Sequence, residues 1–151
     1  IFNEIRNFIL KNKDKYSFLL IPHDSRKKEF EYLKKLGSNL KGCNIFLSKY
    51  LVPEYEKVVT SKLFLVITGR MHLSIMTLPN SVPCIILAYN GVKARGTFNY
   101  FDIEDLVIEP NNMSELQNKV VHLENNYYQY ITKIKSNIEK VENLIEKQIL
   151  K

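Results

Sequence analysis

The 151-residue sequence has only two cysteines, no glycine-rich phosphate loop and no low-complexity tract. It also lacks any unbroken apolar run of the roughly 20 residues that a membrane span requires. Each absence excludes something. Cys43 and Cys84 lie beside or inside apolar runs, which favours buried thiols over a redox pair and suits a reducing, cytoplasmic compartment. No positively charged leader with an apolar core and cleavage site is present, so there is no secretory signal to read. The three histidines and two cysteines have no metal-ligand spacing, and neither a metal nor a cofactor is expected. The G-x-G-x-x-G and Walker patterns are missing, which removes the simplest motif-based cases for a dinucleotide or nucleoside triphosphate. Lysines and aromatics do not interleave in any recognisable module and no zinc-finger pattern occurs, which argues against nucleic acid.

What is present belongs to an ordinary globule: 45% hydrophobic and 25% charged residues. The length fits one domain that buries about 68–70% of its extended surface without a staple. Twenty-two lysines and arginines against 16 acidic residues leave a formal charge of +6, which favours small anionic partners. Most of that charge falls on faces that helices would expose. The chain opens at Ile1 in a helical pattern (residues 2–10) with no strand before it, as a domain trimmed from a longer protein would.

Five short apolar runs alternate with helical patterns. Residues 16–21 (YSFLLI) form the first strand, ended by Pro22. A helix follows over 27–36, with Phe30, Leu33 and Leu36 on one face and Gly37 as its stop. Residues 43–47 are the second strand, and Pro53 opens a helix over 54–61 with Tyr55, Val58 and Val59 inward. The run 63–67 (LFLVI) has the look of a central parallel strand covered on both faces. A helix through Leu78, a fourth strand at 82–88, a weaker helix at 93–100 and a fifth strand ending at 106–108 complete the rhythm. Beyond Met113 the segment 113–150 is helical in two pieces, with Ser114 as N-cap and Leu116, Val120, Leu123, Tyr127 and Ile131 as an apolar stripe. Strands and helices in this order build an α/β domain with a doubly wound, mostly parallel sheet.

Ligands of open parallel sheets collect at the carboxyl ends of strands. The third strand ends in Thr68-Gly69, where glycine admits a ligand to the backbone and the next helix offers free N–H groups. Arg70 adds a planar fork suited to phosphate or carboxylate, and His72 a group that exchanges a proton near neutrality. Past the fourth strand, Tyr89 is followed by Asn90-Gly91, Lys93 and Arg95, two more cations for the same edge. His23 ends the first strand; its neighbour Asp24 makes an adjacent pair that reads first as a turn. His122 stands in the C-terminal helix with no partner in view, and the bland alternative for all these residues is a turn with solvated charges.

The run "LVITGRMHLSIMTLPNSVPCIILAY" followed by "NGVKARG" resembles the C-terminal half of the polysaccharide pyruvyl transferase family. The matching positions are Arg70-x-His72 after a hydrophobic strand, then Val82-Pro83, Tyr89 and Lys93. The resemblance spans residues 16–109 and is strongest over 66–96. It implies a Rossmann-like, glycosyltransferase-B-like C-terminal domain whose partner domain lies upstream, with strand order 2-1-3-4-5 here. It also implies transfer of pyruvate as a ketal from phosphoenolpyruvate to a sugar of a cell-surface polysaccharide or its precursor. Arg70 and His72 would be catalytic; Thr68, Gly69, Arg70, Tyr89, Lys93, Arg95 and His23 would bind substrate. The implied partners are a small anionic donor and a saccharide acceptor, with membrane proximity if that acceptor is lipid-linked. Phe64 and Leu73 replace the family's usual aspartate and alanine. Two other readings stand beside it: a glycosyltransferase-B-like domain holding a nucleotide-sugar donor, and a non-catalytic domain that binds an anion or carbohydrate. The nucleotide-sugar reading calls for an acidic residue at a strand end, with Asp102, Glu104 and Asp105 the candidates.

Overall fold

A computed structural model describes residues 1–23, 27–88 and 91–149. The chain divides into two compact units, Ile1–Glu56 and Lys57–Lys151. The fold is mixed α/β, with parallel pairing throughout the described strands.

The first unit contains helix α1 (Phe2–Lys11), strand β1 (Phe18–Leu20), helix α2 (Lys27–Ser38), strand β2 (Ile45–Leu47) and the start of helix α3 (Pro53–Thr60). β1 and β2 pair in parallel, Phe18 opposite Ile45 and Leu20 opposite Leu47. Phe8 and Ile9 of α1 are buried, and the Phe8 ring meets Phe18 edge-on at 6.3 Å. α1 ends at Asn12, whose side-chain Nδ2 donates to the Phe8 carbonyl at 2.7 Å, beside the bond that its own backbone N–H makes to the same oxygen at 3.2 Å. Gly37 does not stop α2, which runs on to Ser38. A Cβ at Gly37 would lie 3.6 Å from Leu20 Cδ1 and 3.9 Å from Ile45 Cγ2, so this glycine faces the two strands. The left-handed turn comes later, at Gly42 with φ +79°.

Helix α3 reverses its expected face. Pro53 does open it, but Tyr55 and Val58 are exposed while Glu56 and Thr60 are buried. The buried carboxylate has a partner on that inward face, described below.

The second unit is built on strands β3 (Val66–Thr68), β4 (Cys84–Leu87) and β5 (Val107–Ile108), in the order β3-β4-β5. Helix α4 (Met71–Thr77) and a 3-10 turn (Leu78–Asn80) link β3 to β4; helix α5 (Gly91–Asn99) and the turn Glu104–Leu106 link β4 to β5. Right-handed crossovers in that order put α4 and α5 on the same face of the sheet. The fully covered strand is β4, all four of its residues being buried, rather than β3. β3 is an edge strand of this sheet and Phe64, before it, is 43% exposed. An apolar run alone cannot tell a centre from an edge, because stacking partners cover residues too: here the Phe64 ring stacks on Tyr127 at 4.6 Å.

The C-terminal segment is two helices, α6 (Leu116–Asn125) and α7 (Tyr127–Ile149), after a 3-10 turn over Pro110–Glu115. Ser114 lies inside that turn, and the N-cap position of α6 is Glu115. Leu116, Val120 and Leu123 are buried as the stripe requires. The break at Asn126 then advances the phase, so that Tyr130, Ile134 and Asn137 go inward while Tyr127 and Ile131 are half-buried. The Tyr130 hydroxyl donates to Asp105 Oδ2; burial, with that carboxylate, holds it well above the usual phenol range. Asn137 Nδ2 reaches Asp102 Oδ2 at 3.2 Å, and Lys133 Nζ donates to the Asp102 carbonyl at 3.0 Å. These bonds fasten α7 to the loop before β5.

Candidate functional site

The carboxyl edge of the three-stranded sheet carries most of the residues singled out from the sequence. Thr68 is the last residue of β3, and its buried hydroxyl accepts the Arg70 backbone N–H at 3.0 Å. That bond folds the chain sharply out of the strand, a local side-chain-to-backbone turn of the kind threonine favours. Gly69 faces β4: a Cβ there would sit 3.7 Å from the Leu87 carbonyl oxygen. Arg70 is the N-cap residue of α4, in extended backbone with φ −106° and ψ 114°, and its side chain is exposed. His72, in the first turn of α4, is exposed as well. Arg70 thus belongs to the turn and His72 to the helix, the arrangement under which residues two apart can open onto one crevice.

α4 is shorter than its sequence pattern suggests, at seven residues, and one N–H at its start is already bonded to Thr68. The anion-holding capacity of this corner therefore rests on the Arg70 side chain more than on the helix end. On the neighbouring crossover, Lys93 is exposed in the first turn of α5. Tyr89 and Asn90, expected between β4 and α5, lie outside the described residues.

Arg95 is committed to a partner within the protein. Its Nε and Nη2 both donate to Oε1 of Glu109, at 3.2 and 2.9 Å. Glu109 directly follows β5, so an acidic residue does stand at a strand end of this sheet, though not among Asp102, Glu104 and Asp105. Gly91 makes room for it: a Cβ at that position would meet Glu109 Oε1 at 3.0 Å. The only sequence signal for Glu109 was its place one residue past an apolar run; its partner lies 14 residues away.

His23 follows β1 in the first unit. Its adjacent residue Asp24 is outside the described residues; the described partner is Glu56, whose Oε2 lies 2.7 Å from His23 Nδ1. Glu56 is 1% exposed and His23 20%. A buried carboxylate bonded to one ring nitrogen fixes the imidazole's orientation and favours the proton on Nδ1. Glu56 escaped the sequence reading because 33 residues separate it from His23.

His122 has a neighbour too, Asp105 Oδ2 at 4.0 Å, on an exposed surface. Cys84 is buried in β4, and burial, opposed in part by the hydrogen bond with Thr77, pushes its thiol up to about 12. Cys43 is half-buried rather than buried. Among the described residues, no group of three or more His, Cys, Asp or Glu side chains could hold a metal ion, and no helix is long and apolar enough to cross a membrane. Comparison with family models, curated proteins and solved structures returns no match to this chain.

Proposed function

We propose that the carboxyl edge of the β3-β4-β5 sheet binds phosphoenolpyruvate and that the chain serves pyruvyl transfer to a saccharide. The observation that carries this reading is the position of Arg70 and His72: one ends the turn out of β3, the other lies in the first turn of α4, and both are exposed. The motif similarity over residues 66–96 supports it, as does the exposed Lys93 on the next crossover. With it goes the finer architecture of the resemblance, a doubly wound, glycosyltransferase-B-like domain working in the cytoplasm beside a companion domain.

The chemistry requires few groups. One sugar hydroxyl adds to the substituted carbon of phosphoenolpyruvate while its methylene carbon takes up a proton and becomes a methyl group. The second hydroxyl displaces phosphate at the same carbon and closes the cyclic ketal. Of the two hydroxyl protons, one is matched by the new methyl hydrogen and the other leaves with phosphate. Arg70 suits the donor's phosphate or carboxylate through its planar fork, and Lys93 adds positive charge. His72 is the residue of this edge able to exchange a proton near neutral pH.

The test uses the natural full-length protein, with donor binding by calorimetry and ketal formation by mass spectrometry. Arg70→Lys keeps the charge but loses the fork and should weaken phosphoenolpyruvate binding by about 1–3 kcal/mol. His72→Asn should leave that binding nearly unchanged while slowing ketal formation roughly 10²–10⁴-fold. A His72 variant that turns over like the parent removes the acid–base role. If neither variant changes affinity or rate, the site is elsewhere.

A further inference from the structure

The same sheet edge is polarised in charge. Arg70 stands at its β3 end and Glu109 at its β5 end, with the buried strand β4 between them. The strand registers fix this order: Thr68 is opposite Ile86, and Leu87 is opposite Ile108, the residue before Glu109. Two strand spacings separate β3 from β5, which puts the two backbones about 10 Å apart. That is the width of one small ligand.

Glu109 is held, but only by half. Both Arg95 donors go to Oε1, and among the described residues no donor reaches Oε2. The carboxylate is 43% exposed, so Oε2 can meet a ligand. The carboxylate lies against Gly91 at the start of α5; a Cβ there would come to 3.0 Å from Oε1, so that Oε1 would have to give by a few tenths of an ångström. Paired with Arg95, the carboxylate offers an anion no net positive charge to bind, while its Oε2 can accept hydrogen bonds from neutral hydroxyls. Arg95 is therefore a positioning residue for Glu109 instead of a ligand for the donor's phosphate.

We propose that Glu109 Oε2 accepts a hydroxyl of the saccharide, orienting it across β4 toward an anionic group held at Arg70. The inference rests on the pyruvyl-transfer reading for the identity of the ligand, since a ribose hydroxyl has the same chemistry. No bond is made or broken by Glu109 in this role.

The experiment is an amide-resolved NMR titration of the chain, using methyl glucosides and methyl galactosides, uridine and phosphoenolpyruvate as separate probes. A methyl glycoside should perturb the amides of Gly91, Arg95 and Glu109. Glu109→Gln should weaken that binding roughly ten- to hundredfold, the usual effect of losing a hydrogen bond to a charged group. Phosphoenolpyruvate affinity should change by no more than a few-fold, since the two strand ends lie about 10 Å apart along a water-exposed edge, about one Debye length. Arg95→Met retains the carboxylate but frees it, and should weaken glycoside binding less than Glu109→Gln does. Glycoside binding that Glu109→Gln leaves unaltered overturns the proposal, and so does a parent chain that takes no glycoside at the highest soluble concentration. Uridine at Glu109 in place of the glycosides overturns the saccharide assignment. Glycoside binding lost in Glu109→Gln, in a chain that never takes phosphoenolpyruvate, upholds the hydroxyl site and removes the pyruvyl-transfer reading.

Discussion

Replacing His23 by alanine removes the imidazole bonded at 2.7 Å to a carboxylate that is 1% exposed. Two contributions set the size of the effect. The hydrogen bond to a charged acceptor is worth about 1.5–3 kcal/mol. Leaving Glu56 charged and less compensated in the interior raises the total to about 3–5 kcal/mol, the range for breaking a buried pair from one side. Glu56→Met should cost far less than His23→Ala, because it removes the buried charge along with the bond and fills the space with apolar atoms. The contrast within the protein is Arg95–Glu109, whose side chains are 49% and 43% exposed; Arg95→Ala should change stability by under about 1 kcal/mol. Urea unfolding measures all three, followed by a probe in the first unit for His23→Ala and Glu56→Met and by a probe in the second for Arg95→Ala. If His23→Ala shifts stability by less than about 1 kcal/mol, the His23–Glu56 bond contributes no more than an exposed pair and the reasoning from burial fails.

Alkylation of the native protein should modify the half-buried Cys43 readily and Cys84 scarcely, because Cys84 is buried in β4 and burial pushes its thiol up to about 12; intact and peptide mass spectrometry will show it. The same burial has a pH consequence. Above the ordinary thiol value of 9.0 the unfolded chain releases the Cys84 proton while the folded chain keeps it. The stability this group contributes is complete below about pH 9 and is lost as pH rises toward 12, by about 1.4 kcal/mol per pH unit. Cys84→Ala should flatten that alkaline decline in denaturant titrations run at several pH values. Tyr130→Phe deletes the hydroxyl that donates to Asp105 and should cost about 1 kcal/mol, read as a lower urea midpoint with an unchanged slope.

Local pattern carried the element order. Short apolar runs broken by proline and helical spacing were enough to place five strands and most helices, because those signals are local to each segment. Faces and partners were less legible. α3 read as Tyr55/Val58-inward because its apolar residues favour that stripe, whereas the residue that faces inward is Glu56, whose partner His23 is far along the chain. β3 read as central because its run is apolar, yet an edge strand with Phe64 stacked on Tyr127 has the same composition. The break at Asn126 shifted the α7 stripe by a fraction of a turn, which a single apolar stripe carried from Leu116 to Ile131 does not foresee. At the candidate site, the placement of Arg70 in the turn and His72 in the first turn of α4 was legible because glycine after a strand marks a turn. Glu109 was not, since its meaning depends on Arg95 and Gly91 being folded against it.

The central claim is that a phosphate- and carboxylate-bearing donor rests at Arg70. Titrating the isotopically labelled chain with phosphoenolpyruvate and following backbone amides tests it most directly. The account predicts saturable shifts concentrated at Gly69, Arg70, Met71, His72 and Lys93, weakened about tenfold or more in Arg70→Lys by loss of the planar fork. Shifts confined to other surfaces, or equal affinity in parent and Arg70→Lys, would contradict it.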